Sequence, residues 1–92
     1  MIKKRYITRG ISVEIPLIIS DFIWKLCEKP KTKDYLQIFD IKPISNGISI
    51  DHRMEIPQYK REYLLLGIKP IFAKIYVIDD GTHITMMLRE EY

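Results

Sequence analysis

The sequence predicts an α+β fold, a small antiparallel sheet of four to six strands built from hairpins, with one amphipathic helix packed on one face. Three observations predict it. Asn46-Gly47 stands between two runs that alternate apolar and polar residues, and Asp80-Gly81 does the same further on. From Pro16 to about Glu28 the apolar residues recur at helical spacing instead.

The elements follow in chain order. "RYIT" (Arg5 to Thr8) is a candidate N-terminal edge strand. Pro16 suits the first helical position, where a missing N–H costs nothing, and Pro30 stops the helix. Ile15, Ile18, Ile19, Phe22 and Leu26 fall in one stripe with Ile23 beside it, while Ser20, Asp21 and Glu28 lie opposite. Leu17 and Trp24 also fall opposite, away from the main core.

A two-residue Asn46-Gly47 loop of type I′ needs positive φ at both positions. It would pair Phe39 with Met54, Asp40 with Arg53, Ile41 with His52 and Lys42 with Asp51. One face then collects Phe39, Ile41, Ile48, Ile50, Met54 and Ile56, and the other carries two opposite-charge pairs. Pro43 cannot donate to a ladder and points to an edge or a bend. "EYLLLGI" (Glu62 to Ile68) supplies another extended run. An Asp80-Gly81 loop would pair Val77 with Ile84, Ile75 with Met86 and Ala73 with Leu88 on the core side. The opposite side would pair Phe72 with Arg89, Lys74 with Met87, Tyr76 with Thr85 and Ile78 with His83.

Ninety-two residues make a single domain, 1–92, and an apolar fraction of 47% with 29% charged residues is globular. No apolar run approaches the roughly 20 residues of a membrane span, and the basic N-terminus leads into no signal-like stretch. The lone Cys27 forms no internal disulfide, so a reducing cytoplasm, that of a bacterial host, is the expected compartment. The net charge of +3 permits nucleic-acid binding without arguing for it.

Several stretches resemble one family. "YITRG" (Tyr6 to Gly10), "EIP" (Glu14 to Pro16), "DYLQIF" (Asp34 to Phe39), "EIPQYK" (Glu55 to Lys60), "AKIYVIDDG" (Ala73 to Gly81) and the closing "TMML…EEY" are similar to domain-of-unknown-function family 960. It is found in Gram-positive bacteria, their phages and mobile elements. The resemblance covers nearly the whole chain, with Trp24 matching a helix tryptophan of the family, and Lys29 to Lys33 and Tyr63 to Lys69 fitting less well. It implies no activity and no catalytic residue. It implies genomic company: phage accessory factors that bind a host protein stoichiometrically, among them inhibitors of defence nucleases such as anti-CRISPR proteins.

Catalysis, metal and cofactor are not expected. Cys27 lies near a helix C-terminus, where the dipole disfavours a thiolate, and the two histidines lack the short spacing of metal ligands. The glycines stand isolated, so no phosphate loop exists. Protein binding is the favoured function, through Leu17 and Trp24 on the helix and Phe72, Lys74, Tyr76, Met87 and Arg89 on the second hairpin, a host protein being the partner. A homodimer could hide the same side chains. The alternative is nucleic-acid binding by Lys3, Lys4, Arg5, Lys31 and Lys33 with neighbouring tyrosines.

Overall fold

A computed structural model describes residues 3–92. Six strands, β1 (Lys4–Ile7), β2 (Leu36–Ile44), β3 (Gly47–Met54), β4 (Tyr59–Leu66), β5 (Ala73–Asp79) and β6 (His83–Leu88), form one sheet in the order β1-β6-β5-β2-β3-β4. Helices α1 (Arg9–Glu14) and α2 (Leu17–Cys27) cover one face, and a 3-10 turn, Arg89–Glu91, follows β6. The class is α+β as expected, but the sheet is mixed and there are two helices. β1 runs parallel to β6, because the chain passes through both helices before it returns to the sheet.

The single helix expected from Pro16 is preceded by α1, too short to show a period. Thr8 caps α1 by accepting from the Ile11 amide, and Ile11 is its buried residue. Pro16 ends up as the cap residue of α2, its carbonyl accepting from the Ile19 and Ser20 amides at 2.9 and 3.2 Å. The face that α2 buries is Ile19, Ser20, Ile23, Leu26 and Cys27. Ile18, expected inside the stripe, is exposed, because the sheet meets the helix on a line rotated toward Ser20 and Cys27. Ser20 is tolerated there because its hydroxyl donates to the Leu17 carbonyl at 3.1 Å.

Both hairpins keep the expected faces and shift the expected pairs by two residues. In the first, Phe39 faces His52, Asp40 faces Asp51, Ile41 faces Ile50, Lys42 faces Ser49 and Ile44 faces Gly47, so the loop is Ser45-Asn46. Neither loop residue has positive φ, which overturns the type I′ turn. Gly47 (φ 151°) is needed for a different reason: a Cβ there would stand 1.9 Å from the Leu65 carbonyl oxygen of β4. In the second, Ile75 faces Leu88, Tyr76 faces Met87, Val77 faces Met86 and Ile78 faces Thr85. The loop is Gly81-Thr82, with positive φ at the glycine only, as a turn with glycine first requires.

An even shift preserves which side chains point inward. Phe39, Ile41, Ile48, Ile50, Met54, Ile75, Val77, Met86 and Leu88 are accordingly buried beneath the helices. Ile56 is the exception; it lies beyond β3 in the turn to β4 and is 78% exposed. At the far end of the chain, the Glu91 carboxylate accepts from the Gly10 and Leu88 amides at 3.0 and 2.9 Å and from the Thr8 hydroxyl. These bonds hold its carboxyl below the usual range, the Thr8 hydroxyl contributing most. Gly10 makes the approach possible, since a Cβ there would lie 2.6 Å from a Glu91 oxygen.

Candidate binding surface

Strand alternation turns one set of side chains from every strand away from the helices, and the segment after β6 reaches the β5 side of that face, where Tyr92 meets Tyr76. The pairing arranges it in rows across the strands. Met87, Tyr76, Ile38, Arg53 and Lys60 make one row from β6 to β4. Lys74, Asp40, Asp51 and Glu62 make the next, from β5 to β4. Asp40 ties the rows together, accepting from Arg53 at 3.2 Å and standing 3.7 Å from the Lys74 ammonium. The ring of Tyr92 lies edge-on to Tyr76 with centroids 5.5 Å apart.

Where β5 begins and β6 ends, a cleft of about 390 Å³ lies at the end of the sheet, lined by Glu14 of α1 and by Phe72, Ala73, Lys74, Leu88, Arg89 and Glu90. A second hollow of about 240 Å³, lined by Ile38, Asp40, Arg53, Glu55, Lys74, Tyr76 and Arg89, shares Lys74 and Arg89 with it. The hairpin residues expected to bind a partner are therefore grouped: Phe72, Lys74, Tyr76 and Arg89 line the two hollows, and Met87 lies opposite Tyr76. Phe72 stands 65% exposed at this end of the sheet.

Leu17 and Trp24 do not join them, since both are on α2 across the sheet. Leu17 is 72% exposed. Trp24, expected to stand free of the core, is half-buried against its edge, with the Arg5 guanidinium 5.0 Å above its ring. Sequence reasoning missed Ile38, Asp40, Arg53, Glu55, Glu14 and Glu90 as lining residues. The Asp40–Arg53 pairing was visible, but nothing in the sequence says that β5 lies beside β2 and brings Lys74 to it.

Of the residues of the nucleic-acid alternative, Arg5 and Lys33 line one small hollow with Glu28 and Asp79, and local partners hold the cations around it. Lys3 is 2.7 Å from Asp79, Arg5 is 3.2 Å from Glu28, and Lys33 donates to the Pro30 carbonyl. Lys4 lies on β1 opposite His83, and Lys31 is exposed in the loop after α2.

The reactive side chains divide between the two sides of the sheet. Cys27 is buried, and desolvation pushes its thiol up to about 12, opposed by the Arg5 charge, which lowers it. His52 is 0% exposed; its Nε2 lies 2.7 Å from the Gln37 Oε1, and its ring stacks on Phe39 at 4.2 Å. Burial lowers its pKa to about 4, and its Nδ1 has no hydrogen-bond partner. At the second turn, Thr82 Oγ1 lies 3.0 Å from His83 Nδ1, while His83 Nε2 is 3.1 Å from Asp80. Asp80 is held down to about 2 by the His83 and Thr82 amides that it caps. This hydroxyl–imidazole–carboxylate set occupies an exposed turn, and its bonds close the turn itself. Among the described residues no three His, Cys, Asp or Glu side chains are grouped as metal ligands, and no helix is long and apolar enough to cross a membrane.

Comparison with solved structures finds a crystal structure of a protein of unknown function from Enterococcus faecalis, 20% identical, with a TM-score of 0.86 over 98% of this chain and 91% of that one. At that identity the likeness is one of fold. No curated protein matches. The sequence profile of the family described as staphylococcal protein of unknown function (DUF960) matches residues 4–91, end to end with the sheet and both helices, and the chain therefore belongs to that family.

Proposed function

We propose that the chain is a non-catalytic binding module that acts stoichiometrically on a host protein, which it grips in the cleft at the β5 and 3-10 turn corner. The observation that carries this reading is the cleft of about 390 Å³ with Phe72 standing 65% exposed in its lining. A phenyl ring left in water at the lip of a concave site is surface whose burial a partner would reward. Lys74 and Arg89 are set against Glu14 and Glu90 in the same lining. That mixture favours a polypeptide segment with an apolar side chain flanked by charges of both signs, over a uniformly charged polymer. Lys3, Arg5 and Lys33 are each engaged by a carboxylate or a carbonyl of the chain, which leaves less free positive charge for a phosphate backbone and favours protein over nucleic acid. A defence nuclease is the partner class that the family's genomic company suggests.

The test is affinity capture from host lysate on the wild-type chain and on Phe72→Ser and Arg89→Glu variants, followed by titration calorimetry with the purified captured protein. The expected result is a one-to-one complex that the wild type forms and both variants lose while keeping the wild-type circular dichroism spectrum. Capture unaffected by both substitutions would overturn the reading.

A further inference from the structure

Two neighbouring rows on the helix-free face oppose like charges across strands. Asp40, Asp51 and Glu62 face one another in sequence across β2, β3 and β4, and Arg53 faces Lys60 in the adjacent row. Like charges directly opposite one another destabilise a sheet, so the chain bears a cost here that its own fold does not require. Asp40 is compensated by Arg53 and Lys74. Glu62 receives only the Ser49 hydroxyl at 3.2 Å, and Asp51 has no ion pair among the described residues.

The two rows lie one above the other along the strands, two residues or about 7 Å apart. We infer that this half of the face, β2 to β4, pairs with a second copy of the chain through a two-fold axis running across the strands midway between the rows. Such an axis reverses the strand direction and keeps the strand order. It therefore sets Asp51 opposite the partner's Arg53 and Glu62 opposite the partner's Lys60, and the same two pairs recur with the copies exchanged. A two-fold running along the strands between β3 and β4 would instead set Asp51 against the partner's Glu62. Arg53 can serve both subunits, because its bonds to Asp40 use only Nε and Nη2 of the five guanidinium donors. Sheets packed face to face stand about 10 Å apart, within the joint reach of these side chains. The occupant is a second copy because on β3 and β4 the acidic and basic positions complement each other in sign and spacing, while on β2 Asp40, already held by Arg53 and Lys74, meets the partner's Ile38. None of Asp51, Arg53, Lys60 and Glu62 lines the cleft, so the two surfaces are separate.

The experiment is sedimentation equilibrium of the full chain at low salt, with two charge-reversed variants, Asp51→Lys with Glu62→Lys and Arg53→Glu with Lys60→Glu. The wild type should dimerise, with an affinity that falls as salt rises. Each variant alone should associate at least about tenfold more weakly, since exposed pairs contribute modestly one by one but four are reversed together. Mixing the two variants should restore a one-to-one heterodimer, because each reversed row then meets its opposite. A monomeric wild type, a dimer indifferent to the reversals, or no recovery on mixing would each overturn the proposal. Should a reversed variant fail to fold, the neutral pairs Asp51→Asn with Glu62→Gln and Arg53→Gln with Lys60→Gln replace it. Each should then be a monomer alone, and mixing should restore two of the four pairs in a weak heterodimer; a variant that stays dimeric alone, or no association on mixing, would refute the interface.

Discussion

His52 lies fully buried with one ring nitrogen bonded to Gln37 and the other unpartnered, so acid should act on the fold at this residue. In the native state the imidazole is neutral, with the Nε2 hydrogen donated to Gln37. Adding a proton would place a charge and a second N–H in apolar surroundings with no acceptor. The native pKa is therefore lowered from 6.5 to about 4, through desolvation. Unfolded chain takes up the proton near 6.5, so the contribution is whole above that pH. It is lost progressively as pH falls from 6.5 to about 4, below which both states are protonated. The gap corresponds to about 3 kcal/mol, a large part of the stability of a domain this size. The depressed carboxyls of Asp79, Asp80 and Glu91 act in a lower window, since their stabilisation is lost only as pH falls below about 4. Urea unfolding at steps between pH 7 and pH 4 should follow this loss in the wild type. His52→Gln, though less stable throughout, should be nearly flat over the same range. NMR titration of the imidazole protons, with His83→Asn to separate the two histidines, should find His52 unprotonated down to pH 5. A His52 midpoint near 6.5, or equal slopes for wild type and variant, would refute the reasoning.

Other expectations follow from close approaches and burial. Gly47→Ala forces a Cβ into the Leu65 carbonyl at a positive φ and should cost about 3 kcal/mol or more by denaturant unfolding. Gly10→Ala should displace the Glu91 carboxylate and raise amide exchange at Gly10 and Leu88, with the β2–β3 amides unchanged. Cys27, with its thiol pushed up to about 12, should resist a disulfide reagent at pH 8 in the native state and react on unfolding in urea. Phe39→Ala, which empties the centre of the sheet's inner face and removes the stack on His52, should cost about 3–5 kcal/mol.

Which side chains point inward was legible from alternation, and Phe39, Ile41, Ile48, Ile50, Ile75, Val77 and Met86 are buried as that pattern requires. Which residues face each other was not. The dipeptides Asn46-Gly47 and Asp80-Gly81 mark a bend without fixing which of their residues form its two central positions, and each hairpin moved by two. In the first, the glycine was fixed by the close passage of β4, a tertiary fact without a local signature. The parallel partnership of β1 and β6 was hidden for the same reason, since it joins the two ends of the chain. Of the candidate site, Phe72, Lys74, Tyr76, Met87 and Arg89 were legible as hairpin residues turned away from the core stripe, whereas the lining from β2 and β3 depends on the strand order.

The placement of β1 also bears on when each part of the sheet is made. Lys4 meets His83, 79 positions along the chain, while every other strand pairing joins residues fewer than 45 positions apart. A ribosome would release β1 long before β6, the strand it pairs with, exists. It must wait as an unstructured leader until the last hairpin closes, and only then does Glu91 arrive to fasten the start of α1. The four-residue margin of the sheet should thus be the slowest to gain protection in pulse-labelled refolding and the first to fray when native protein is warmed.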